Sequence, residues 1–89
     1  MRSIIWSDHF TRQVEEAGGI RLIDEALNPI IDGLMRNPYG FRLHETDHFS
    51  FRYAKTQALP GRLGALTVIF TINNEKNVVL EWFDEDLTF

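Results

Sequence analysis

The alternation of apolar and polar side chains predicts a strand over residues 48–55, where three aromatic residues occupy every second position. Phe49, Phe51 and Tyr53 alternate with polar or small residues, which is the two-residue period of a strand that buries one face. We therefore expect these aromatic side chains to pack on the core. Arg52 lies between two of them and is expected to point away from the core.

Two further apolar runs predict that this strand is the first of three consecutive antiparallel strands. Leu66 to Ile72 has apolar residues at alternate positions, with Ile69 on the opposite side, as in a central strand partly covered on both faces. The asparagine-rich segment 73–77 supplies turn residues, and residues 78–83 return as the last strand. One face of this sheet is expected to carry function. Its polar side chains would be Arg52, Thr56 and Thr67.

The N-terminal third predicts a strand followed by two helices. Residues 2–6 favour a strand because they are rich in isoleucine and end in tryptophan. Ser7 or Asp8 can cap the first helix, and Gly18-Gly19 ends it. A second helix follows, with the polar residues between its apolar positions facing water. Its apolar stripe consists of Ile20, Ile23, Leu27, Ile30, Ile31 and Leu34.

Pro29 interrupts the second helix, because a proline inside a helix removes one hydrogen bond and clashes with the preceding turn. The stripe is therefore either one kinked helix or two helices nearly in line, the second capped by Asn28. Residues 37–40 end it, and 41–47 form an edge strand or an extended loop. Residues 57–64, rich in Pro and Gly, form a hairpin loop. These elements predict an α+β fold in which a helical hairpin packs on one face of a small antiparallel sheet.

The composition indicates one small domain spanning residues 1–89. The chain contains no cysteine, which excludes disulfides and thiolate zinc sites and permits a reducing compartment. The apolar run at residues 1–6 is far shorter than the hydrophobic region of a signal peptide or a membrane span. We therefore expect a cytoplasmic protein that does not contact membranes.

The charge distribution indicates that any anion-binding site lies in the middle of the chain. The net charge is -4, which disfavours a protein that grips polyanions. Residues 36–62, however, contain five basic and two acidic residues, a local charge of +3. The alternative is a solvated basic surface without a ligand. The basic residues of this segment are Arg36, Arg42, Arg52, Lys55 and Arg62.

Other local patterns give little support to metal, nucleotide or hydrolase chemistry. His44 and His48 are four residues apart, a spacing that would share a helix face but separates the rings along a strand, so we expect no metal site. No glycine-rich phosphate loop or Gly-x-Ser-x-Gly motif is present, and we expect no cofactor. Trp82 and Phe83 are either an exposed aromatic end that recognises a partner or the last residues of the core.

Several short segments resemble the RelE/ParE superfamily of toxins from bacterial toxin-antitoxin modules. The order of strand, two helices and antiparallel sheet is similar over nearly the whole chain. The segments that carry the resemblance are Ile5-Trp6-Ser7-Asp8-His9-Phe10, Ile31-Asp32-Gly33-Leu34-Met35-Arg36-Asn37-Pro38, Ser50-Phe51-Arg52-Tyr53 and the closing hairpin from Leu66 to Trp82.

The resemblance to RelE-like members implies a ribosome-dependent endoribonuclease that cuts messenger RNA. Such a site orients the 2'-hydroxyl against the adjacent phosphate and neutralises charge in the transition state, which arginine and lysine do well. Arg52, Lys55 and Arg62 are the residues that match catalytic positions. With Arg42, the same three residues are expected to contact RNA phosphates.

A second hypothesis is a family member that acts by binding and cuts no RNA, either a ParE-like gyrase inhibitor or an inactive homologue that binds an antitoxin. The family pattern has a tyrosine, histidine or arginine near the last strand, where this chain has the acidic segment 84–86. Carboxylates beside a phosphate repel it. Under both hypotheses the expected partner is a cognate antitoxin protein, and under the first also the ribosome and its mRNA.

Overall fold

The computed structural model describes residues 2–61 and 64–85 of the chain, which form an α+β fold of two helices and a five-stranded mixed sheet. A 3₁₀ turn, Pro38–Gly40, follows the second helix. No helix in these two ranges is long and apolar enough to cross a membrane. The elements in chain order are β1 (Ile4–Trp6), α1 (Asp8–Glu16), α2 (Ile20–Arg36), β2 (Arg42–Glu45), β3 (Ser50–Lys55), β4 (Leu66–Ile72) and β5 (Val78–Glu85).

The sheet has the strand order β1-β5-β4-β3-β2 and is mixed, because it contains both parallel and antiparallel neighbours. Strands β2 to β5 pair antiparallel, as predicted for the last three, and β2 is the predicted edge strand. β1 pairs with β5 in parallel, with Ile4 opposite Val78. The prediction of a wholly antiparallel sheet is therefore wrong. The reason is that β1 reaches β5 only through a long crossover that includes both helices, the connection that parallel neighbours require.

The first helix begins and ends at the predicted signals. The Ser7 hydroxyl accepts a hydrogen bond from the Phe10 N–H at 3.1 Å and donates one to the Glu81 carbonyl at 3.0 Å, so the cap also ties α1 to β5. Gly18 and Gly19 have φ angles of +116° and +101°, which glycine adopts without a Cβ clash. The chain can therefore stop α1 and start α2 within three residues.

The second helix runs without a break through Pro29. Of the two alternatives, one helix is therefore found and two helices nearly in line are not, and the reason lies in burial on both sides of the proline. Ile23 and Leu27 before it and Leu34 after it are almost completely buried, whereas Pro29 is exposed. Packing of this apolar stripe thus outweighs the missing hydrogen bond at the proline.

Both helices pack on one face of the sheet, which we call the helix face. It is formed by alternate residues of the central strands, Ala54, Val68, Phe70 and Leu80, which join the helices in one core cluster. Phe10 connects the layers by edge-to-face contacts with Trp6 and Phe83, each at a centroid distance of 5.2 Å. Phe83 therefore completes the core.

The opposite side of the sheet, the open face, carries the intervening side chains and lies outside the core cluster. The side chains at the centre of this face are buried by their neighbours: Thr67 and Ile69 of β4 are each only 2% exposed. Trp82 is half-buried on this face, opposite Ile69, whereas Phe83 is one of the last residues of the core. The open-face residues of β2 and β3 are Arg42, His44, Phe51, Tyr53 and Lys55.

The faces of β3 are the reverse of the sequence prediction. Ala54 is buried opposite Val68, and Arg52 lies opposite Phe70, so both belong to the helix face. The aromatic residues of β3 point to the open face. The alternation was predicted correctly, but burial was assigned to the aromatic side chains, whereas the structure buries Ala54 in the core cluster.

The two threonines that were expected together on the free face of the sheet lie in different environments. Thr67 lies on the open face, as predicted, although it is buried by its neighbours. Thr56 is 5% exposed, and its hydroxyl accepts a hydrogen bond from the Leu66 N–H at 2.9 Å. This bond joins the ends of β3 and β4 below the hairpin loop. The predicted exposed position of Thr56 is therefore wrong, and its hydroxyl has a structural role.

Candidate phosphate-binding site on the open face

The guanidinium of Arg52 is held against the backbone that precedes β2. It donates hydrogen bonds to the Tyr39 carbonyl at 3.0 Å and to the Phe41 carbonyl at 2.9 Å. Its central carbon also lies 5.4 Å from the centroid of the Tyr39 ring. The expected outward orientation of Arg52 is wrong. The geometry instead makes Arg52 a brace between β3 and the 3₁₀ turn.

Arg42 and Lys55 lie together on the open face, at the edge where β2 begins. Arg42 is paired with Tyr53, two residues before Lys55, so the two basic residues are diagonal neighbours on adjacent strands. Such neighbours are about 7–8 Å apart, a separation that two long side chains can bridge to contact one phosphate. Both residues are exposed. The sheet therefore brings together two of the four predicted phosphate-binding residues.

A cavity of about 490 Å³ lies at this edge, between the start of β2 and the end of β3. Its lining includes residues 40 and 41, next to the carbonyls that Arg52 binds, and Tyr53, which is opposite Arg42 and two residues before Lys55. Arginine, lysine and tyrosine supply cationic and neutral hydrogen-bond donors, which is a set suited to a phosphodiester oxygen. The lining residues are Gly40, Phe41, Arg42, Tyr53, Ala54 and Lys55.

An acidic side chain lies in the same cross-strand row as Lys55. Thr67 pairs with Lys55 on one side and with Asp84 on the other, so the Lys55 and Asp84 backbones are two strand spacings apart, roughly 10 Å. Asp84 accepts a hydrogen bond from the Glu85 N–H at 2.8 Å. This carboxylate lowers the attraction of the row for a polyanion, although salt screens part of the effect at that separation.

The predicted catalytic residues do not form one cluster. Arg52 and Lys55 lie on opposite faces of β3, because they are three residues apart in a strand with a two-residue period. Arg62 lies outside the described residues. The sequence analysis did not single out Tyr53, which the structure puts next to both Arg42 and Lys55. Once β3 is recognised as a strand, residues 53 and 55 necessarily share a face, because every second side chain of a strand points the same way. This rule could have identified Tyr53 from the sequence.

The histidine pair does not converge. His44 lies in β2, where its ring is 5.1 Å from that of Phe51, and His48 lies in the turn between β2 and β3. Within the described ranges, no group of three or more histidine, aspartate or glutamate side chains is arranged to hold a metal ion.

A second, more apolar cavity of about 440 Å³ lies farther along the open face. The Phe49 and Phe51 rings are nearly parallel at a centroid distance of 5.7 Å and form one side of it. Trp82 and Glu81 line the other side, beside the irregularity where β5 carries one extra residue relative to β4. The lining residues are His44, Phe49, Ser50, Phe51, Ile69, Thr71, Glu81 and Trp82.

No family model, curated protein or solved structure matches this chain. The features of this chain that bear on its function are therefore the geometry of the two cavities and the order of the secondary-structure elements.

Proposed function

We propose that this protein is a RelE-like toxin of the RelE/ParE superfamily that cuts ribosome-bound messenger RNA in the cytoplasm and is neutralised by a cognate antitoxin. The single observation that carries the proposal is the pairing of Arg42 with Tyr53, which brings Arg42 and Lys55 to one cavity at the edge of the sheet. The order of strand, two helices and antiparallel strands supports the same superfamily.

In the proposed reaction, the 2'-oxygen of a ribose attacks the adjacent phosphorus and the bond from phosphorus to the 5'-oxygen breaks. Negative charge accumulates on the non-bridging oxygens as the bond to the 2'-oxygen forms. Arg42 and Lys55 would contact these oxygens from two sides, which stabilises the transition state more than the ground state. Tyr53 would donate a hydrogen bond to the phosphate between them. The proton of the 2'-hydroxyl passes to a base, and the leaving 5'-oxygen takes up a proton.

Arg52 enters this proposal as a positioning residue. Its two hydrogen bonds hold the carbonyls of Tyr39 and Phe41, on either side of Gly40, and the backbone at residues 40 and 41 lines the cavity. Replacing the guanidinium would release this wall without removing a phosphate contact.

The alternative function is binding without cleavage, either as a ParE-like gyrase inhibitor or as an inactive homologue that binds an antitoxin. Two observations favour it. Arg52 is occupied by backbone carbonyls, and Asp84 lies in the row of Lys55, so the expected cationic site is smaller and less positive than the resemblance implies.

The test is induced expression in a bacterial host, followed by growth measurement and mapping of transcript 5' ends. We expect growth arrest and new ends within translated codons for the parent chain. The double variant Arg42→Met with Lys55→Met should reduce cleavage at least a hundredfold, because one lost transition-state contact to a charged group typically costs about 2.7–4 kcal/mol. Arg12→Met together with Arg21→Met removes the same charge from exposed helix positions and is the matched control.

Growth arrest without internal cleavage would overturn the nuclease proposal in favour of the binding alternative. Equal cleavage by the parent and the Arg42/Lys55 double variant would show that the site is elsewhere. Both variants are to be compared by their denaturation midpoints first, so that a loss of folded protein is not mistaken for a loss of activity.

A further inference from the structure

We propose that the aromatic cavity on the open face binds the guanidinium of an arginine side chain from a partner protein. This cavity is separate from the Arg42/Lys55 site, and the proposal does not depend on RNA cleavage. It rests on three features of the described residues: the ring geometry, the position of Glu81 and the distribution of charge along the open face.

The cavity is lined by aromatic rings, with which a cation can interact favourably. Phe49 and Phe51 differ in ring orientation by only 13°, and the His44 ring continues the row at 5.1 Å from Phe51. Trp82 lines the same cavity from β5. Phe49 is 57% exposed, so an approaching side chain can reach its ring. Aromatic faces carry negative electrostatic potential and attract cations, and tryptophan does so most strongly.

Glu81 lines the cavity beside Trp82. It is the extra residue in β5, because Trp82 pairs with Ile69 whereas Leu80 pairs with Phe70. Bulges redirect side chains in this way. The backbone carbonyl of Glu81 is held by the Ser7 hydroxyl at 3.0 Å, which fixes this irregular segment to the N-cap of α1. Among the described residues that line the cavity, Glu81 is the one with an acidic side chain.

The charge of the surroundings selects a cation over a polyanion. No lysine or arginine is among the described residues that line this cavity, and Arg42 lines the other one. A nucleic acid strand would bring its phosphates to Glu81, at an electrostatic cost. Arginine fits better than lysine, because a planar guanidinium can stack on a ring and form two parallel hydrogen bonds with one carboxylate.

The experiment uses the full chain with Trp6→Phe, which leaves Trp82 as the one tryptophan, and follows its fluorescence during titration. The probes are three capped tripeptides, Gly-X-Gly, in which X is arginine, lysine or citrulline. Citrulline is nearly isosteric with arginine and carries no charge. We expect saturable binding of the arginine peptide, at least fivefold weaker binding of the lysine peptide and no saturation with citrulline.

Two variants test the proposed contacts. Glu81→Gln keeps the shape of the side chain and should weaken binding of the arginine peptide at least tenfold, whereas Glu75→Gln, in the exposed turn between β4 and β5, should leave it unchanged. Phe49→Leu removes an exposed ring with little risk to folding and should weaken binding several-fold. Folding of each variant is verified by its denaturation midpoint.

Equal responses to the arginine and citrulline peptides, or equal affinity in parent and Glu81→Gln, would overturn the proposal. So would saturable binding of guanosine monophosphate to this cavity without binding of the arginine peptide, because that result would assign the rings to nucleobase stacking. These outcomes differ from those of the transcript-mapping test, which concerns the Arg42/Lys55 site alone.

Discussion

At the scale of the residue, Arg52 was expected to contact RNA phosphates, but the structure shows its guanidinium bound to backbone carbonyls. Its guanidinium spans two carbonyls that flank a single residue, and the Tyr39 ring lies against it. A second arginine, Arg2, approaches the same ring at 5.9 Å and donates a hydrogen bond to the Met35 carbonyl at 3.0 Å. The Tyr39 ring thus lies near two guanidinium groups, of which Arg52 also binds the backbone of the 3₁₀ turn and Arg2 also binds the end of α2.

The structural role of Arg52 leads to a stability prediction. Arg52→Met keeps the aliphatic stem and removes both hydrogen bonds, so the free energy of unfolding should fall by about 1–2 kcal/mol, less than for a buried charged pair because the site is partly exposed. Urea denaturation measures this change. Arg12→Met, an exposed arginine on α1, is the control and should change stability by less than about 0.5 kcal/mol. An Arg52→Met protein as stable as its parent would show that the two hydrogen bonds of Arg52 do not stabilise the fold.

At the scale of the element, α2 shows that side-chain packing can maintain a helix through a residue that disfavours helix. A proline lacks the N–H that would donate to the preceding turn, and Pro29 lies near the middle of the 17-residue helix. The helix persists because it contributes four buried side chains to the core on both sides of this position. The unfavourable residue is on the exposed side, where the proline ring contacts solvent.

The exposed proline predicts a stabilising substitution. Pro29→Ala restores the missing donor and a favourable helix former, and should raise the free energy of unfolding by about 1–3 kcal/mol, since part of the gain is offset by greater freedom of the unfolded chain. Thermal or urea denaturation followed by circular dichroism measures the gain. Asn28→Ala changes the neighbouring exposed residue and should yield less than about 1 kcal/mol. A destabilised Pro29→Ala protein would indicate that α2 needs the proline.

At the scale of the whole molecule, the sheet separates the core from the proposed binding sites. The helix face contains the core cluster, the Arg42/Lys55 cavity lies at the edge of the sheet, and the aromatic cavity lies on the open face. The net charge of -4 keeps molecules apart at neutral pH, whereas near the sequence pI of about 5.2 this repulsion vanishes. Self-association through exposed apolar surface is then expected.

The open face should therefore govern solubility near pH 5. Light scattering across pH 4 to 8 should give a maximum near pH 5, and Phe49→Ser should reduce that maximum several-fold. Ile20→Ser is the matched control, since Ile20 is 59% exposed on α2 against 57% for Phe49, yet it lies away from the aromatic cluster. If both variants reduced scattering equally, exposure alone rather than the aromatic face would be responsible.

The sequence by itself determined the local elements. The Ser7 cap, the Gly18-Gly19 stop and the two-residue alternation of β3 and β4 act through near neighbours, so the pattern contains enough information to predict them. The sequence also showed that basic residues concentrate in the middle segment, and in the structure Arg42 and Lys55 of that segment are exposed.

Only the tertiary structure decided which face of β3 is buried, that β1 runs parallel to β5, and which cations share a cavity. Alternation shows that a strand has two faces, but the side that meets the helices depends on packing against Val68 and Phe70, far away in the chain. The same long-range pairing puts Arg42 beside Tyr53 and sends Arg52 to the other side. Strand register is a property of two segments together, and for that reason one segment's pattern does not contain it.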